Sequence, residues 1–226
     1  NPKTARMYED LGILSADPEL TDDLTRLFNR LSGFAPQSTY SRLLVAPLTL
    51  RSGIIERIDR EIENQKAGKP AGIQLKLNSI LDEGFVEKIY QASQAGVKID
   101  LLVRGICAVQ PGIKGVSENI TVKSVLGRFL EHSRIFHFVN GGNNEYWIGS
   151  ADLMGRNLDR RVESLVRIDK KEHQNRLQEI LDLGLSAESS SWQLSGIEWT
   201  RVSKNSKGEA LLDVHSAFIH TYSRER

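Results

Sequence analysis

The sequence predicts an α/β fold in which a mixed, largely parallel sheet carries helices on both of its faces. Short apolar runs alternate with longer amphipathic stretches, which is the pattern of repeated strand–helix–strand units. Glycine or proline stands at most transitions between these runs, where the chain has to turn. The chain has 226 residues, of which 39% are hydrophobic and 26% charged, and this is enough for one sizeable core.

The N-terminal part predicts one helix that begins after Asp17. Asp17 can cap the helix, Pro18 suits its first turn, and acidic residues follow early, where the helix dipole favours them. We expect this helix to turn one apolar stripe toward the core, formed by Leu24, Leu27, Phe28 and Leu31. Residues 32–41 are rich in glycine, proline and hydroxyl side chains, so they are the candidate boundary between two domains.

The alternation of strands and helices begins at residue 42. Strands are predicted at 43–46, 73–77, 97–103, 120–125, 135–139, 146–148 and 165–168. Helices are predicted at 52–65, 84–95 and 171–185, and the tail is expected to add a strand-like edge and a short helix near 211–222. The sequence Asn-Gly-Gly-Asn-Asn at 140–144 tolerates positive φ and therefore predicts a hairpin between two of the strands.

Polar side chains follow the predicted strands at the edge where ligands of open α/β sheets bind. Lys76 and Asn78 lie at the end of one strand, and Arg104 at the end of the next. Gly105 follows Arg104 and would allow a ligand to approach closely. An arginine in this position is, on its own, more often a surface ion-pair partner than a ligand.

Residues 127–163 contain the hairpin and the candidate catalytic residues. His132 and Arg134 stand two apart before its first strand, so their side chains point the same way in an extended chain. Imidazole changes charge near neutral pH and can act as nucleophile or general acid, while the arginine fork grips phosphate oxygens. This pair suits phosphoryl transfer. On spacing alone, a structural histidine before a strand is the more common case.

Several segments resemble the long polyphosphate kinases, which belong to the phospholipase D-like superfamily. The resemblance rests on R-F-L-E-H-S-R-I, on G-S-A-D-L-M-G-R-N-L-D-R-R-V-E, on L-L-V-R-G-I-C and on the opening run N-P-K-T-A-R-M-Y-E-D. It covers the chain to about Leu185. The resemblance implies a phospholipase D-like fold and reversible transfer of the terminal phosphate of ATP to polyphosphate through a phosphohistidine.

The resemblance also implies a role for individual residues. His132 corresponds to the second histidine of the family, a general acid or phosphate ligand, and the phosphorylated histidine is expected upstream of this chain. Arg104 and Arg134 would contact phosphate, and Tyr8 matches the tyrosine of the nucleotide site. Glu163 is expected to orient the imidazole of His132.

The same resemblance implies the domains, cofactors and partners. Residues 1–40 would be the end of the first catalytic half, and residues 41–226 the second half with a C-terminal extension. The ligands are ATP, ADP and polyphosphate, with Mg²⁺ whose ligands are not in this chain. The intact enzyme is expected to be a homo-oligomer, whereas the fragment alone is expected to be inactive.

Composition excludes several other classes of protein. One cysteine, Cys107, excludes an intrachain disulfide and a cysteine-based metal site. A net charge of +1 argues against a general nucleic-acid binder, and the absence of an export signal predicts a cytoplasmic protein, with peripheral membrane attachment left open. His137 is expected on a sheet surface, and three others in solvent: His173, His215 and His220.

Two alternative functions stay open. A phospholipase D-like phosphodiesterase would need a second copy of His132 from a dimer. Arg134 and Val139 stand where the phospholipase D motif has lysine and aspartate, which disfavours lipid hydrolysis. A phosphate-binding module without activity would depend on Arg104 and not on His132.

Overall fold

The computed structural model describes residues 1–33 and 39–223. Its helices are α1 (Pro2–Ala5), α2 (Pro18–Leu31), α3 (Leu50–Lys66), α4 (Glu83–Gln94), α5 (Gly155–Asp159), α6 (Lys171–Leu185) and α7 (Val214–Ser223). Its strands are β1 (Tyr8–Glu9), β2 (Leu43–Ala46), β3 (Ile73–Leu77), β4 (Ile99–Val103), β5 (Ile120–Ser124), β6 (Leu130–Glu131), β7 (Arg134–Phe138), β8 (Glu145–Gly149), β9 (Glu163–Ile168), β10 (Ser191–Ser195) and β11 (Glu198–Val202). None of the helices in these ranges is both long enough and apolar enough to cross a membrane.

Nine strands form one mixed sheet in the order β11-β10-β5-β4-β3-β7-β8-β9-β2. The predicted mixed α/β fold is confirmed, but the sheet is not largely parallel. Parallel pairing is confined to β3, β4 and β5, and the other neighbours run antiparallel. The reason is the hairpin β7–β8, whose short connection cannot carry the crossover that a parallel pair needs. That connection contains the predicted positive φ angles, at Asn140, Gly141 and Gly142.

Helices cover both faces of the sheet, as predicted. Alternate residues of each strand face opposite sides, so that Phe136 packs with α3 and α4 while its neighbour Ile135 packs with α6. The cluster under α3 and α4 is the larger, and it includes the fully buried Phe85 and Trp147. Each such side chain contributes roughly 1.5–3 kcal/mol by leaving water.

Aspartate side chains cap two helices, at Asp17 as predicted and at Asp82, just before the predicted helix 84–95. The Asp17 carboxylate accepts the amide of Leu20 at 3.0 Å, and the Asp82 carboxylate accepts the amide of Phe85 at 3.2 Å at the start of α4. These bonds satisfy amides that the first turn of a helix leaves free. The boundaries of both helices are thereby explained by local chemistry.

The predicted apolar stripe of α2 is only partly buried. Leu27 is in the core, but the side chains of Leu24, Leu31 and Phe28 are exposed, and Phe28 is 68% exposed. The buried face instead contains Asp23, whose carboxylate accepts the amide of Leu43 at 3.1 Å and holds the helix against β2. The prediction was wrong because it considered only the apolar residues of the helix, whereas the hydrogen bonds of Asp23 turn its side of the helix toward β2. The candidate domain boundary at 32–41 includes residues 34–38, which lie outside the described residues.

The ends of the chain meet at one edge of the fold. Strand β1 pairs with β6 in a separate two-stranded parallel ladder, with Tyr8 opposite Leu130 and Glu9 opposite Glu131. Helix α7 packs nearby through Val214. The segment directly before His132 is therefore enclosed by the N-terminal strand β1 and the C-terminal helix α7.

Candidate active site

The candidate site lies where β3 and β4 end and β7 begins. Strand β7 runs antiparallel to β3, with Lys76 opposite Ile135, so the carboxyl end of β3 meets the amino end of β7. This brings together residues that are far apart in the sequence: Asn78 and Arg104 after the parallel strands, and His132 and Arg134 at the start of the hairpin. The site is at the carboxyl edge of the parallel strands, where α/β folds bind ligands.

His132 is held on both ring nitrogens and remains partly open to solvent. Its Nδ1 lies 2.8 Å from a carboxylate oxygen of Asp10, and its Nε2 lies 3.3 Å from Nη1 of Arg134. A carboxylate only accepts and a guanidinium only donates, so in the neutral ring Nδ1 carries the proton and Nε2 presents its lone pair. Tyr8 packs edge-on at 4.9 Å between ring centroids, and the histidine side chain is 32% exposed.

Arg134 is fixed by its neighbours in a single orientation. Its Nε and Nη2 donate to the two oxygens of Asp152 at 3.3 and 3.1 Å, and its Nη1 donates to the carbonyl of His132 at 2.9 Å. Such a bidentate pair constrains the plane of the guanidinium. A positive charge is thereby fixed beside Nε2 of His132.

A chain of hydrogen bonds connects the two arginines of the site. Asp152 also accepts the backbone amide of Asn78 at 2.8 Å, and the side-chain oxygen of Asn78 accepts Nε of Arg104 at 3.0 Å. Asp152 is 6% and Asn78 7% exposed. The two guanidinium groups thus share one buried support, which places both positive charges along the same edge.

A cleft opens in front of His132. It has a volume of about 320 Å³, and its polar lining includes Asp10, His132, Arg134, Ser150 and Ser164. Ligand sites in proteins commonly enclose about 300–1,000 Å³. The cleft is large enough for a small anionic group beside Nε2.

Of the other two predicted site residues, Tyr8 contacts His132 and Glu163 does not. Tyr8 lies against His132, as a residue of the same site would. Glu163 is buried and accepts the side-chain amide of Asn157 at 2.7 Å, and Arg161 lies 3.9 Å away. The carboxylate found on His132 is that of Asp10, not that of Glu163, because β1 brings the N-terminal segment to the ring.

The carboxylates of the site do not fit a resident metal ion. Asp10 is engaged by His132 and Asp152 by Arg134. Within residues 1–33 and 39–223, no three His, Cys, Asp or Glu side chains are grouped so that they could hold a metal. The Mg²⁺ expected with ATP stays a prediction, and it would come with the nucleotide as part of the substrate.

Two of the remaining histidines differ from the prediction. His137 is buried, stacks on Tyr146 at 4.3 Å and lies 2.7 Å from the side-chain oxygen of Asn144. Burial lowers the pKa of His137, against the smaller effect of the Asn144 hydrogen bond. His215, which we expected in solvent, is only 2% exposed. It belongs to a buried cluster of charges beneath His132.

Sequence reasoning missed the residues that support the site. Asp10 is more than a hundred positions from His132, and no local pattern connects them. Glu131 could have been suspected, because Lys76 stands on an inward position of a central strand, where a lysine needs a buried acid as its partner. Lys76 is 3% exposed.

Comparison with known proteins identifies the family. The family model described as "Polyphosphate kinase C-terminal domain 2" matches residues 43–211. A polyphosphate kinase of Streptomyces coelicolor is 52% identical over the whole of this chain, and one of Prochlorococcus marinus is 52% identical over 86% of it. The crystal structure of polyphosphate kinase from Porphyromonas gingivalis superposes with a TM-score of 0.86 at 35% identity, covering 93% of this chain.

The match is extensive in this chain and partial in its relatives. The chain spans 30% of the Streptomyces protein, 27% of the Prochlorococcus protein and 32% of the Porphyromonas chain. The family model covers the whole nine-stranded sheet and, within the site, Arg104, His132 and Arg134, but not Tyr8 and Asp10. The chain belongs to the polyphosphate kinase family.

Proposed function

We propose that this chain forms one side of the phosphoryl-transfer site of a polyphosphate kinase, which reversibly moves the terminal phosphate of ATP onto polyphosphate. The observation that carries the proposal is the setting of His132. One ring nitrogen is held by Asp10, and the other faces a cleft beside a fixed guanidinium. Imidazole and arginine in this geometry are suited to a transferring phosphoryl group.

In this proposal His132 acts as a general acid or phosphate ligand. The Asp10 carboxylate holds Nδ1–H, so Nε2 is the nitrogen that carries and releases the exchangeable proton. A carboxylate in this position also stabilises the imidazolium that forms when Nε2 is protonated. The proton on Nε2 would pass to the oxygen of the leaving ADP as its bond to phosphorus breaks.

Arg134 and Arg104 supply positive charge where the phosphoryl group becomes most negative. Phosphoryl transfer depends mainly on positioning and on neutralising the equatorial oxygens. Asp152 and Asn78 hold the two guanidinium groups in place before substrate binds, so little reorganisation is needed. Tyr8, on the other side of the histidine, is proposed to contact the nucleotide.

The covalent step requires a second histidine. We propose that the phosphoryl group moves from ATP to a ring nitrogen of that histidine, breaking a P–O bond and forming a P–N bond. In the second transfer the P–N bond breaks and a new P–O bond forms to the terminal oxygen of polyphosphate. Of the five histidines of this sequence, His132 alone lies beside Arg134. We therefore place the phosphorylated histidine outside this sequence, with residues 1–40 belonging to its half of the site.

Calorimetric titration with medium-chain polyphosphate tests the proposal. The wild-type chain should bind polyphosphate with an affinity that falls as salt is raised from 50 to 300 mM, roughly in the manner of other polyanion complexes. His132→Ala and Arg104→Ala should each weaken binding by about tenfold, the value of one charged hydrogen bond. Arg201→Ala on β11, at the far edge of the sheet, is the matched control and should bind like wild type.

Each other outcome has a defined meaning. A folded wild-type chain that shows no affinity for polyphosphate would contradict the proposed site. Binding lost in Arg104→Ala and unchanged in His132→Ala would support a phosphate-binding module without catalysis. ATP-dependent synthesis by this chain alone would overturn the placement of the phosphorylated histidine elsewhere.

A further inference from the structure

A cluster of buried charged and polar side chains holds the residues on either side of His132. The carboxylate of Glu131, the residue before it, is bound on one oxygen by Nζ of Lys76 at 2.7 Å and on the other by Nε2 of His215 at 2.6 Å. The three residues are 7%, 3% and 2% exposed. A buried carboxylate is costly unless both oxygens are satisfied, so the two partners have to be present together.

His215 is fixed in one tautomer by its surroundings. The backbone amide of Phe129 donates to Nδ1 of His215 at 3.2 Å, so Nδ1 carries no proton and Nε2–H donates to Glu131. Burial raises the pKa of Glu131, but the hydrogen bond from His215 and the charge of Lys76 outweigh it and hold that pKa well below its ordinary value. The pair is a neutral imidazole that donates to a carboxylate.

His215 lies so close to the segment before β6 that residue 127 has to be a glycine. A β-carbon at Gly127 would lie 2.6 Å from Nδ1 of His215, which is less than the contact distance of real atoms. The segment of residues 127–131 thus lies directly against the edge of the imidazole. The packing indicates that the ring is a fixed element of this segment and not an incidental neighbour.

The same cluster fixes the residue on the other side of His132. Nζ of Lys76 donates to the side-chain oxygen of Ser133 at 2.7 Å and to a carboxylate oxygen of Glu9 at 3.0 Å. Glu9 also accepts the hydroxyl of Ser133 at 2.8 Å. Glu9 directly precedes Asp10, the carboxylate that holds Nδ1 of His132. The cluster therefore positions both the histidine and its partner.

We propose that His215, on the C-terminal helix α7, is a positioning residue for His132. Through Glu131 and Lys76 it sets the strand β6 and the neighbouring β1, and thereby the alignment of His132 with Asp10. His215 does not contact the cleft or a substrate; it acts through the backbone on which His132 stands. The catalytic consequence rests on the proposed function, whereas the alignment itself does not.

Two nearly isosteric substitutions separate this role from simple packing. His215→Gln places an amide N–H where Nε2–H stood and keeps the bond to Glu131. His215→Asn places its amide near Nδ1, so that Phe129 keeps a partner and Glu131 loses one. Val214→Ala, in the next position and 3% exposed, weakens the packing of α7 without touching Glu131. It is the control for loss of helix stability.

The readout is the tautomer of His132 in long-range proton–nitrogen NMR spectra. Wild type, His215→Gln and Val214→Ala should show one tautomer of His132, protonated at Nδ1, whereas His215→Asn should show exchange between both. Glu131→Gln, which weakens the same contact from the other side, should also give a mixture and serves if His215→Asn does not fold. If His215→Asn and Glu131→Gln both fold and both show the single wild-type tautomer of His132, the proposal is overturned.

Kinetics in a complete polyphosphate kinase carrying this sequence extend the test. His215→Asn should lower kcat about tenfold and leave KM for ATP within about twofold, because misalignment affects the reacting group more than binding. His215→Gln should recover most of the rate. Equal loss in both variants would contradict positioning through Glu131. Because the NMR signal needs no polyphosphate, a failure of polyphosphate binding would affect the proposed function alone.

Discussion

His132 and His215 are each paired with a carboxylate, yet their surroundings make them suited to different tasks. His132 is 32% exposed in its side chain, and its Nε2 faces a cleft and a guanidinium. His215 is 2% exposed, and both of its nitrogens are used by the protein, one by Phe129 and one by Glu131. The first ring can exchange a proton with a ligand. The second can do so only after breaking a buried bond.

The difference shows that a histidine–carboxylate pair does not by itself identify a catalytic residue. What separates the two cases is the second ring nitrogen. In His132 it accepts only a long 3.3 Å contact from Arg134 beside the cleft, so protonation of the ring gives up an interaction that water or a ligand can replace. In His215 it accepts a backbone amide, so protonation would remove a hydrogen bond inside the core.

The largest expected effect is on catalysis by the partly exposed imidazole of His132. His132→Ala in a complete polyphosphate kinase carrying this sequence should lower kcat by about a thousandfold, the contribution of a positioned acid–base group. The stability of the isolated chain should change by less than about 1 kcal/mol, because the side chain is partly exposed. Steady-state kinetics and urea unfolding measure the two. A stability loss as large as that of a buried residue would erase the contrast with His215.

The next largest effect is on the stability of the fold, through the buried cluster of Lys76, Glu131 and His215. Lys76→Met should lower the free energy of unfolding by about 3–5 kcal/mol, because it leaves the buried carboxylate of Glu131 and the half-buried carboxylate of Glu9 without their shared cation. Lys98→Met is the control, since this lysine is 77% exposed in its side chain and should cost less than about 0.5 kcal/mol. Similar values in urea titrations of the two variants would show that the cluster contributes little.

Stability should also depend on pH through Glu131. Its pKa is lowered from 4.5 to about 2, so its contribution is complete above pH 4.5 and is lost as pH falls toward 2. Glu131→Gln should be less stable than wild type at pH 7, and the difference should narrow between about pH 4.5 and 2. Urea unfolding in this range measures the difference. Two curves that remain parallel would show that the ionised Glu131 does not stabilise the fold.

Most of the fold could be predicted from the sequence because its signals are local. The caps at Asp17 and Asp82, the hairpin at 140–144 and the alternating strand of β3 each follow from neighbouring residues. The largely parallel sheet was a wrong inference because strand order depends on pairings between distant segments. Within the described ranges, only β3, α4 and β4 form adjacent parallel strands joined by a helix, as the simple strand–helix–strand rule expects.

The site was predicted in part for the same reason. His132 and Arg134 are two residues apart, and Arg104 stands at a recognisable strand end, so the sequence marks all three as candidates. Only the family resemblance favoured a functional role for them over a structural one. Asp10 reaches His132 only because β1 pairs with β6, and His215 arrives from the far end of the chain. We expected His215 in solvent because its neighbours in the sequence are polar. Whether a helical residue is buried depends instead on which distant segments pack on the helix.

The smallest effect that we predict concerns Asp10, the carboxylate bound to Nδ1 of His132. Asp10→Asn keeps a polar group of the same size but removes the charge that holds Nδ1–H and supports an imidazolium. The side chain of Asp10 is 55% exposed, so water can replace part of this interaction, and kcat should fall by about tenfold and not by the larger factor seen for buried triads. Asp22→Asn, an equally exposed acid on α2, is the control and should leave kcat unchanged. Kinetics over pH 6–8 measure both variants. An Asp10→Asn enzyme with wild-type kcat would mean that Arg134 and the backbone suffice to orient His132, and the two histidines would then differ in exposure alone.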